Sequence, residues 1–593
     1  MDRKGGPQDI ANLYARLPLP ALKKIRLFRL QAGQFDAPLV GTLIVADLIH
    51  KSNDHTYDAL SYTWGAARLD RRLYLLAPNG SDEYTLPITD NLYAALQRLR
   101  HRWLPRIIWI DALCINQDDV KERSQQVGRM RFIYGRAKNV YVWLGDVEFP
   151  GWIDQCLLRS HGQINPDAVT KSLRTSEQRP SRTFCAFVSM LDAALKQMSP
   201  PWHTRAWVYQ EHHLARNVVW CIGPYQQKYT KHDFARLTQL AYQYRPTREL
   251  KSFQDAVVKL SAPFTQYGIS TFERLSEDSP QKSQGAQRSL HAHAAIAQGM
   301  RCRDAIDNVY SLLGVMDFRP WHQMRTDYTK SVSWVFAKAT WLSLEMRHDY
   351  DVLLNARGMA SPAALAGLPS WAFDYQHGIF YGFPMSIDSI FDIRLGIRLP
   401  KANPQIGVDH SKLYLTGLPL ECVRYAGQVV AGAGTPSIST QDRFVAMTGA
   451  LAASDDWQLR NSGLREHERT TRPAWPPADG SSHFTSEHEF LIDADDWKDI
   501  LPIRNTHAEL LSMPVAWASC ITVLLTAGGC WGLMIGHCAP RDVIFVVKDC
   551  PYPLIIRKRQ DVYEFRGCAY MPAYSNPRFR MASMKESCEI ALV

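Results

Sequence analysis

The chain has no CxxC pair, no GxGxxG or GxxxxGK[ST] loop, no long apolar run and no block of Lys and Arg. Each absence removes a class of function. Without paired thiols at metal-ligand spacing, neither a zinc finger nor a dithiol redox motif is expected, and the twelve scattered Cys suit reduced thiols inside the cell. Without a glycine-rich phosphate cradle, dehydrogenase and P-loop readings are weak. The net charge of +10 is spread over 593 residues, so a solvated surface is expected rather than a nucleic-acid arm. MDRKGGPQDIANLY leads into no apolar segment, and the most apolar later stretch, Ile521–Ile535, is interrupted by Thr and Gly. No secretory signal and no membrane span are expected, which points to a cytoplasmic protein.

Tryptophan is plentiful, with seventeen copies, and several stand beside polar partners. The chain is too long for one core, so several domains are expected. Ile107, Ile108, Trp109 and Ile110 read as a strand buried on both faces, as in the middle of a parallel sheet. The run stops at Asp111, with Cys114, Asn116 and Gln117 just beyond. Ligand crevices in open α/β sheets lie outside the carboxyl ends of such strands, so this edge is a candidate site. The alternative is that Asp111 caps the following turn and Cys114 packs in the core.

Around that strand the pattern alternates strands and helices. Ile25–Leu30 and Val40–Ala46 read as strands, the first setting Ile25 and Leu27 against Lys24 and Arg26. Tyr57–Gly65 closes on Trp64-Gly65, where glycine lets the backbone turn sharply. Leu73–Ala77 and Tyr84–Ile88 flank Asn79-Gly80, a hairpin signal. Thr89 or Asp90 caps a helix with Leu92, Leu96 and Leu99 on one face, and a second helix is expected over residues 119–134, ending at Gly135. Strand, helix, strand order predicts that the Ile107 strand and Asn139–Leu144 form a parallel pair. Phe184–Met198 has helical periodicity, and Thr170–Arg182 reads as a loop.

In Pro201–Ala215, Trp207, Gln210, Glu211 and Leu214 share one helix face. A buried carboxylate there is costly unless paired, and Arg205 is near enough to pair it. His203, His212 and His213 with Cys221 lack a zinc spacing. A cysteine nucleophile at Cys114 has no placed histidine, so a packed thiol is preferred.

Three of these blocks, ALSYTWG (59–65), WIDALCINQ (109–117) and RAWVYQEHHLA (205–215), resemble the heterokaryon-incompatibility (HET) domain of filamentous fungi. Downstream, RDAIDNVYSLLGV, DYTKSV and LPSWAFDY resemble segments that follow this domain in fungal proteins, with Ile306-Asp307-Asn308 where the family usually carries a basic residue before the Tyr. The resemblance implies a role in nonself recognition between fused hyphae, with cell death as output. The partner would be an incompatibility protein or a further copy of this chain.

HET domains are also similar in fold to Toll/interleukin-1 receptor (TIR) domains, some of which cleave NAD+ with a glutamate on a helix. The resemblance therefore implies a TIR- or flavodoxin-like parallel sheet with added β-hairpins. Glu211 and Asp111 become the candidate catalytic residues, and Ser61, Trp64, Asn116, Gln117, Arg205, Trp207 and Gln210 the candidate substrate-binding set. NAD+ would be substrate, with no resident cofactor and no metal. The chemistry is reasonable: cleavage passes through an oxocarbenium-like state that a carboxylate stabilises, and an indole can stack on the base. The other reading is a non-enzymatic scaffold that self-associates through the domain.

The expected layout is a HET domain at 20–225, a helical region at 226–360, a mixed α/β segment at 361–460, a flexible insert at 461–486 and a β-rich C-terminal module at 487–593. Ser276–Ser289 reads as a polar linker.

Overall fold

The computed structural model describes residues 13–19, 24–48, 56–65, 69–77, 83–146, 202–229, 300–316, 324–347, 350–354, 367–377, 405–407, 411–429, 489–490, 521–526, 531–535, 537–547, 552–571 and 588–593, with isolated positions between them. Phe184–Met198, Thr170–Arg182, Ser276–Ser289 and the 461–486 insert lie outside the described residues. The chain divides into two units, Met1–Ser331 and Val332–Val593. That boundary falls inside the stretch read as one helical region.

The first unit is built on a nine-stranded sheet. Its strands are β1 (Lys24–Leu30), β2 (Val40–Asp47), β3 (Asp58–Ser61), β4 (Arg71–Leu76), β5 (Glu83–Ile88), β6 (Arg106–Trp109), β7 (Val140–Trp143), β8 (Val218–Ile222) and β9 (Tyr225–Tyr229), in the spatial order β5-β4-β2-β1-β6-β3-β7-β8-β9. The Ile107 strand is central, as its two-sided hydrophobicity requires. Strands β6, β3, β7 and β8 run parallel, whereas β1 lies antiparallel to both β2 and β6. The sheet is therefore mixed, with a parallel core, antiparallel pairs on either side of it and one further parallel pair, β2 with β4.

Three local expectations are corrected. Strands β6 and β7 are not neighbours, because β3 threads between them and pairs with both. The expected helix over 119–134 is two helices, α3 (Val120–Val127) and α4 (Met130–Arg136), broken at Gly128. Beside the break, the Thr326 hydroxyl donates to the Ser124 carbonyl (2.6 Å), bringing a later segment against the end of the first helix. Arg26 does not face solvent: it is fully buried, and its guanidinium grips Glu122 through two bonds of 2.6 and 2.9 Å.

Other elements follow their local sequence. Thr89 accepts from the Leu92 amide at the start of α1 (Asp90–Leu99), which buries Leu92, Ala95, Leu96 and Leu99. Strands β4 and β5 pair antiparallel, and Asn79-Gly80 lies outside the described residues. Gly65 sits at a φ of 78°, the left-handed backbone that the turn after Trp64 needs.

The second unit carries helices α7 (Val332–Arg347) and α8 (Asp351–Leu354) and a second nine-stranded sheet. Three of its strands, β10 (Gln405–Ile406), β12 (Glu489–Phe490) and β18 (Cys588–Leu592), pair with the long strand β11 (Leu413–Val429). Strand β11 also pairs with β13 (Ile521–Thr526) and with β15 (Val543–Val547). The path β11, β13, β14 (Trp531–Ile535), β17 (Val562–Tyr570), β16 (Leu554–Arg559), β15 returns to β11. The sheet thus closes on itself, leaving the two-residue strands β10 and β12 at its margins, each paired with β11. Two of its members, β10 and β11, come from the segment read separately as mixed α/β. Ser370, in LPSWAFDY, accepts from the Phe565 amide (2.8 Å) and donates to the Val593 carbonyl, so that motif ties strands together.

Candidate functional site

The parallel strands β6 and β3 end side by side, and polar residues stand at both ends. After β6, Asp111 opens the short helix α2 (Asp111–Cys114), with its carboxylate accepting from the Ala112 amide (2.8 Å) and the Trp64 indole (2.9 Å). Strand β3 ends in Ser61, followed by Tyr62 and by Trp64, which is 39% exposed. The third contributor is α5 (Ala206–Leu214), reached through the 3-10 turn Trp202–Thr204.

Helix α5 projects Glu211 at the end of β3. Ser61 donates its hydroxyl proton to Glu211, and the Trp202 indole donates to Ser61 Oγ at 2.8 Å. Arg205 Nη1 lies 4.0 Å from Glu211 Oε1 and donates to the Tyr62 carbonyl. Tyr134 donates to the Leu60 carbonyl (3.1 Å) and sits edge-on to Trp109. Glu211 is only 1% exposed, and burial pushes its carboxyl up to about 7, aided by the negative Asp111 and opposed by Arg205 and Ser61. Burial also holds the Tyr62 and Tyr134 hydroxyls well above their ordinary range, with Asp111 and Glu211 adding to the effect.

The sequence-derived residues thus separate into four groups. Ser61, Glu211 and Arg205 meet in the buried cluster, while Asp111 and Trp64 stand together at its half-exposed rim. Asn116 and Gln117 shape the loop beyond. The Asn116 amide donates to Glu122 (2.7 Å), and the Gln117 side chain donates to the Asp111 carbonyl (3.0 Å). Trp207 and Gln210 face a different surface, helix α6 (Asp307–Leu313). The Trp207 indole donates to Asp307 (3.1 Å), as does the Tyr328 hydroxyl (2.7 Å). Burial raises Asp307 to about 6. Oriented by its neighbours, the Gln210 amide donates to the Ser311 carbonyl (3.1 Å) and accepts from the Arg131 amide (2.9 Å). The single helix face seen in the sequence lies in a seam, and its two sides touch different partners.

That seam is tight enough to predict a mutational effect. A Cβ at Gly314 would collide with the Gln210 side-chain amide. Gly314→Ala is expected to destabilise the first unit by about 1–3 kcal/mol, through displacement of Gln210. A lowered denaturation midpoint at unchanged m-value would report it.

Sequence reasoning passed over Trp202, Tyr62, Tyr134 and Asp307 as site members. Their only signal was position, since each lies in or next to a block already singled out. His212 and His213 are ring partners: His212 packs with Trp202 and Trp220, and His213 stacks on Tyr209. Cys114 is buried, and burial pushes its thiol up to about 12, so it is poorly suited to act as a nucleophile.

Comparisons with known proteins agree with this architecture of blocks. Residues 57–211 match the family described as heterokaryon incompatibility protein (HET). A stretch of 97 residues is 41% identical to "Heterokaryon incompatibility protein 6, OR allele" of Neurospora crassa, covering 15% of this chain and 14% of that protein. This chain therefore spans only a small part of the curated relative that it matches. No solved structure matches it significantly.

Proposed function

We propose, from the premise that residues 57–211 are a HET domain and the chain a HET-domain protein, that it acts in fungal nonself recognition leading to cell death, with the HET domain as a recognition and assembly module. The observation that carries this reading is the enclosure of Glu211. At 1% exposure, with one oxygen bonded to Ser61 and the other facing Arg205, the carboxylate is arranged to hold β3 and α5 together. A carboxylate that stabilises an oxocarbenium-like state must reach the sugar, and this one is enclosed behind Ser61 and Arg205. Its partner in that setting is an incompatibility protein or another copy of the chain.

A second reading, NAD+ cleavage in a TIR-like manner, is favoured by a different observation. Glu211 is held near neutrality beside a second acid, Asp111, at the carboxyl ends of β3 and β6, with Trp64 at the exposed rim. In this reading the cluster opens on activation and Glu211 meets the ribose.

Nicotinamide release from NAD+ by the full chain, beside Glu211→Gln and over a range of protein concentrations spanning assembly, separates the two. The assembly reading expects no release from either protein. The catalytic reading expects release that falls by about a hundredfold or more in the variant, with its melting retained.

A further inference from the structure

Two turns of the first unit are stitched together at the end of the sheet where β6 begins. The Gly33 amide donates to the His101 carbonyl (3.2 Å). Arg100 donates to the carbonyls of Phe35 (2.7 Å), Ala37 (2.8 Å) and Pro38 (2.9 Å), and to that of Gln34. His101 Nδ1 accepts from the amides of Trp103 (3.1 Å) and Leu104 (3.0 Å), which fixes the second turn. The result is a braced tip that presents apolar side chains outward: Trp103 is 73% exposed, Leu104 65% and Phe35 45%. A braced, outward cluster of this kind marks a contact surface, unlike scattered single apolar residues.

The charge around the tip is positive. Arg98, Arg100, Arg102 and Arg106 lie in this stretch, and no acidic residue occurs from Asn91 through Ile110. Among the described residues, Asp36 and Asp146 are the acids beside the tip's arginines, and Asp146 pairs with Arg98 at 2.8 Å. The Arg102 guanidinium stacks 4.8 Å over the Trp103 ring, and that of Arg98 lies 4.7 Å over Phe35.

We infer that this tip docks on an anionic lipid surface, with Trp103, Leu104 and Phe35 entering the headgroup layer, Arg102 meeting the lipid phosphates and carboxylates, and the braced arginines adding positive potential. Indole and leucine beside Arg are the side chains that settle at such an interface. Two other occupants fit less well. A base-stacking platform needs aromatic faces, and Leu104, 65% exposed between the rings' turns, offers none. A second copy would set arginine against arginine. No helix among the described residues is long and apolar enough to cross a membrane, so the contact would be peripheral.

The test is flotation of the full chain with vesicles of phosphatidylcholine alone and of phosphatidylcholine with phosphatidylserine. Binding is expected only with phosphatidylserine, weakened in high salt, reduced about tenfold by Trp103→Ala with Leu104→Ala, and about fivefold by Arg102→Glu. Because these side chains are exposed, the variants should keep the wild-type circular dichroism and melting. Equal binding to both vesicle types, binding untouched by the substitutions, or no vesicle binding would each overturn the inference. So would the same residues proving necessary instead for single-stranded oligonucleotide binding or for concentration-dependent dimerisation.

Discussion

Arg26→Met is expected to cost the first unit about 3–5 kcal/mol, the penalty for stripping one partner from a buried ion pair. Arg26 is wholly buried and makes two bonds to Glu122, one to the Leu17 carbonyl (2.9 Å) and one to the Cys114 carbonyl (3.4 Å). Its guanidinium also lies 4.7 Å from the centroid of the Tyr14 ring. Methionine matches the stem but supplies no donor, so Glu122 and two carbonyls lose their partner together. The Asn116 amide also binds Glu122, so the loop beyond Asp111 should loosen as well. Urea unfolding followed with a probe in the first unit measures the loss. A cost below about 1 kcal/mol would mean that water replaces the guanidinium without difficulty. The double substitution Arg26→Met with Glu122→Leu should recover much of the stability, because an apolar pair of similar volume leaves no charge stranded.

The stability of the wild type relative to Glu211→Gln should fall by about 2 kcal/mol between pH 5 and pH 7.5. Glu211 is raised from 4.5 to about 7 in the folded chain. Between those values the folded state keeps a proton that the unfolded chain has released, so rising pH favours unfolding. The contribution is present in full below the unfolded value and is lost as pH climbs through the folded one. Glutamine cannot titrate, so its curve lacks this slope, and the shared contributions of other groups cancel in the comparison. The groups facing Glu211 are Ser61, Arg205, Asp111, Tyr62 and Tyr134. If the two curves run parallel, Glu211 titrates normally and the enclosed cluster is not maintained in solution. Asp307, raised to about 6, adds a slope of the same sign, which Asp307→Asn would remove.

Much of the site's membership was readable from residue type and order. Trp-Gly after a short strand and an Asp ending an apolar run each mark an element's end, where side chains lead away from the sheet, and Glu211 stands out as a carboxylate on a tryptophan-bearing helix. The partition of α5 was not readable. Trp207, Gln210 and Glu211 share one face, and periodicity cannot say that this face is split between β3 and α6. The tip at Trp103 escaped notice for a related reason. Its arginines alternate with other residues, so no contiguous block betrays them until Arg100 brings the Phe35 turn alongside.

By itself the sequence determined the local elements and the family that residues 57–211 match. Hydrophobic periodicity, the Thr89 cap and the Gly65 turn act over a few residues, and the HET blocks are contiguous strings. Only the tertiary structure decided strand order, the closure of the second sheet through β11 and the burial of Arg26 and Glu211. Those depend on contacts between residues far apart in the chain, Ser61 and Glu211 being 150 positions apart. Whether a charge lies in water or in the core is set by what packs over it, and its own neighbours in sequence carry no record of that.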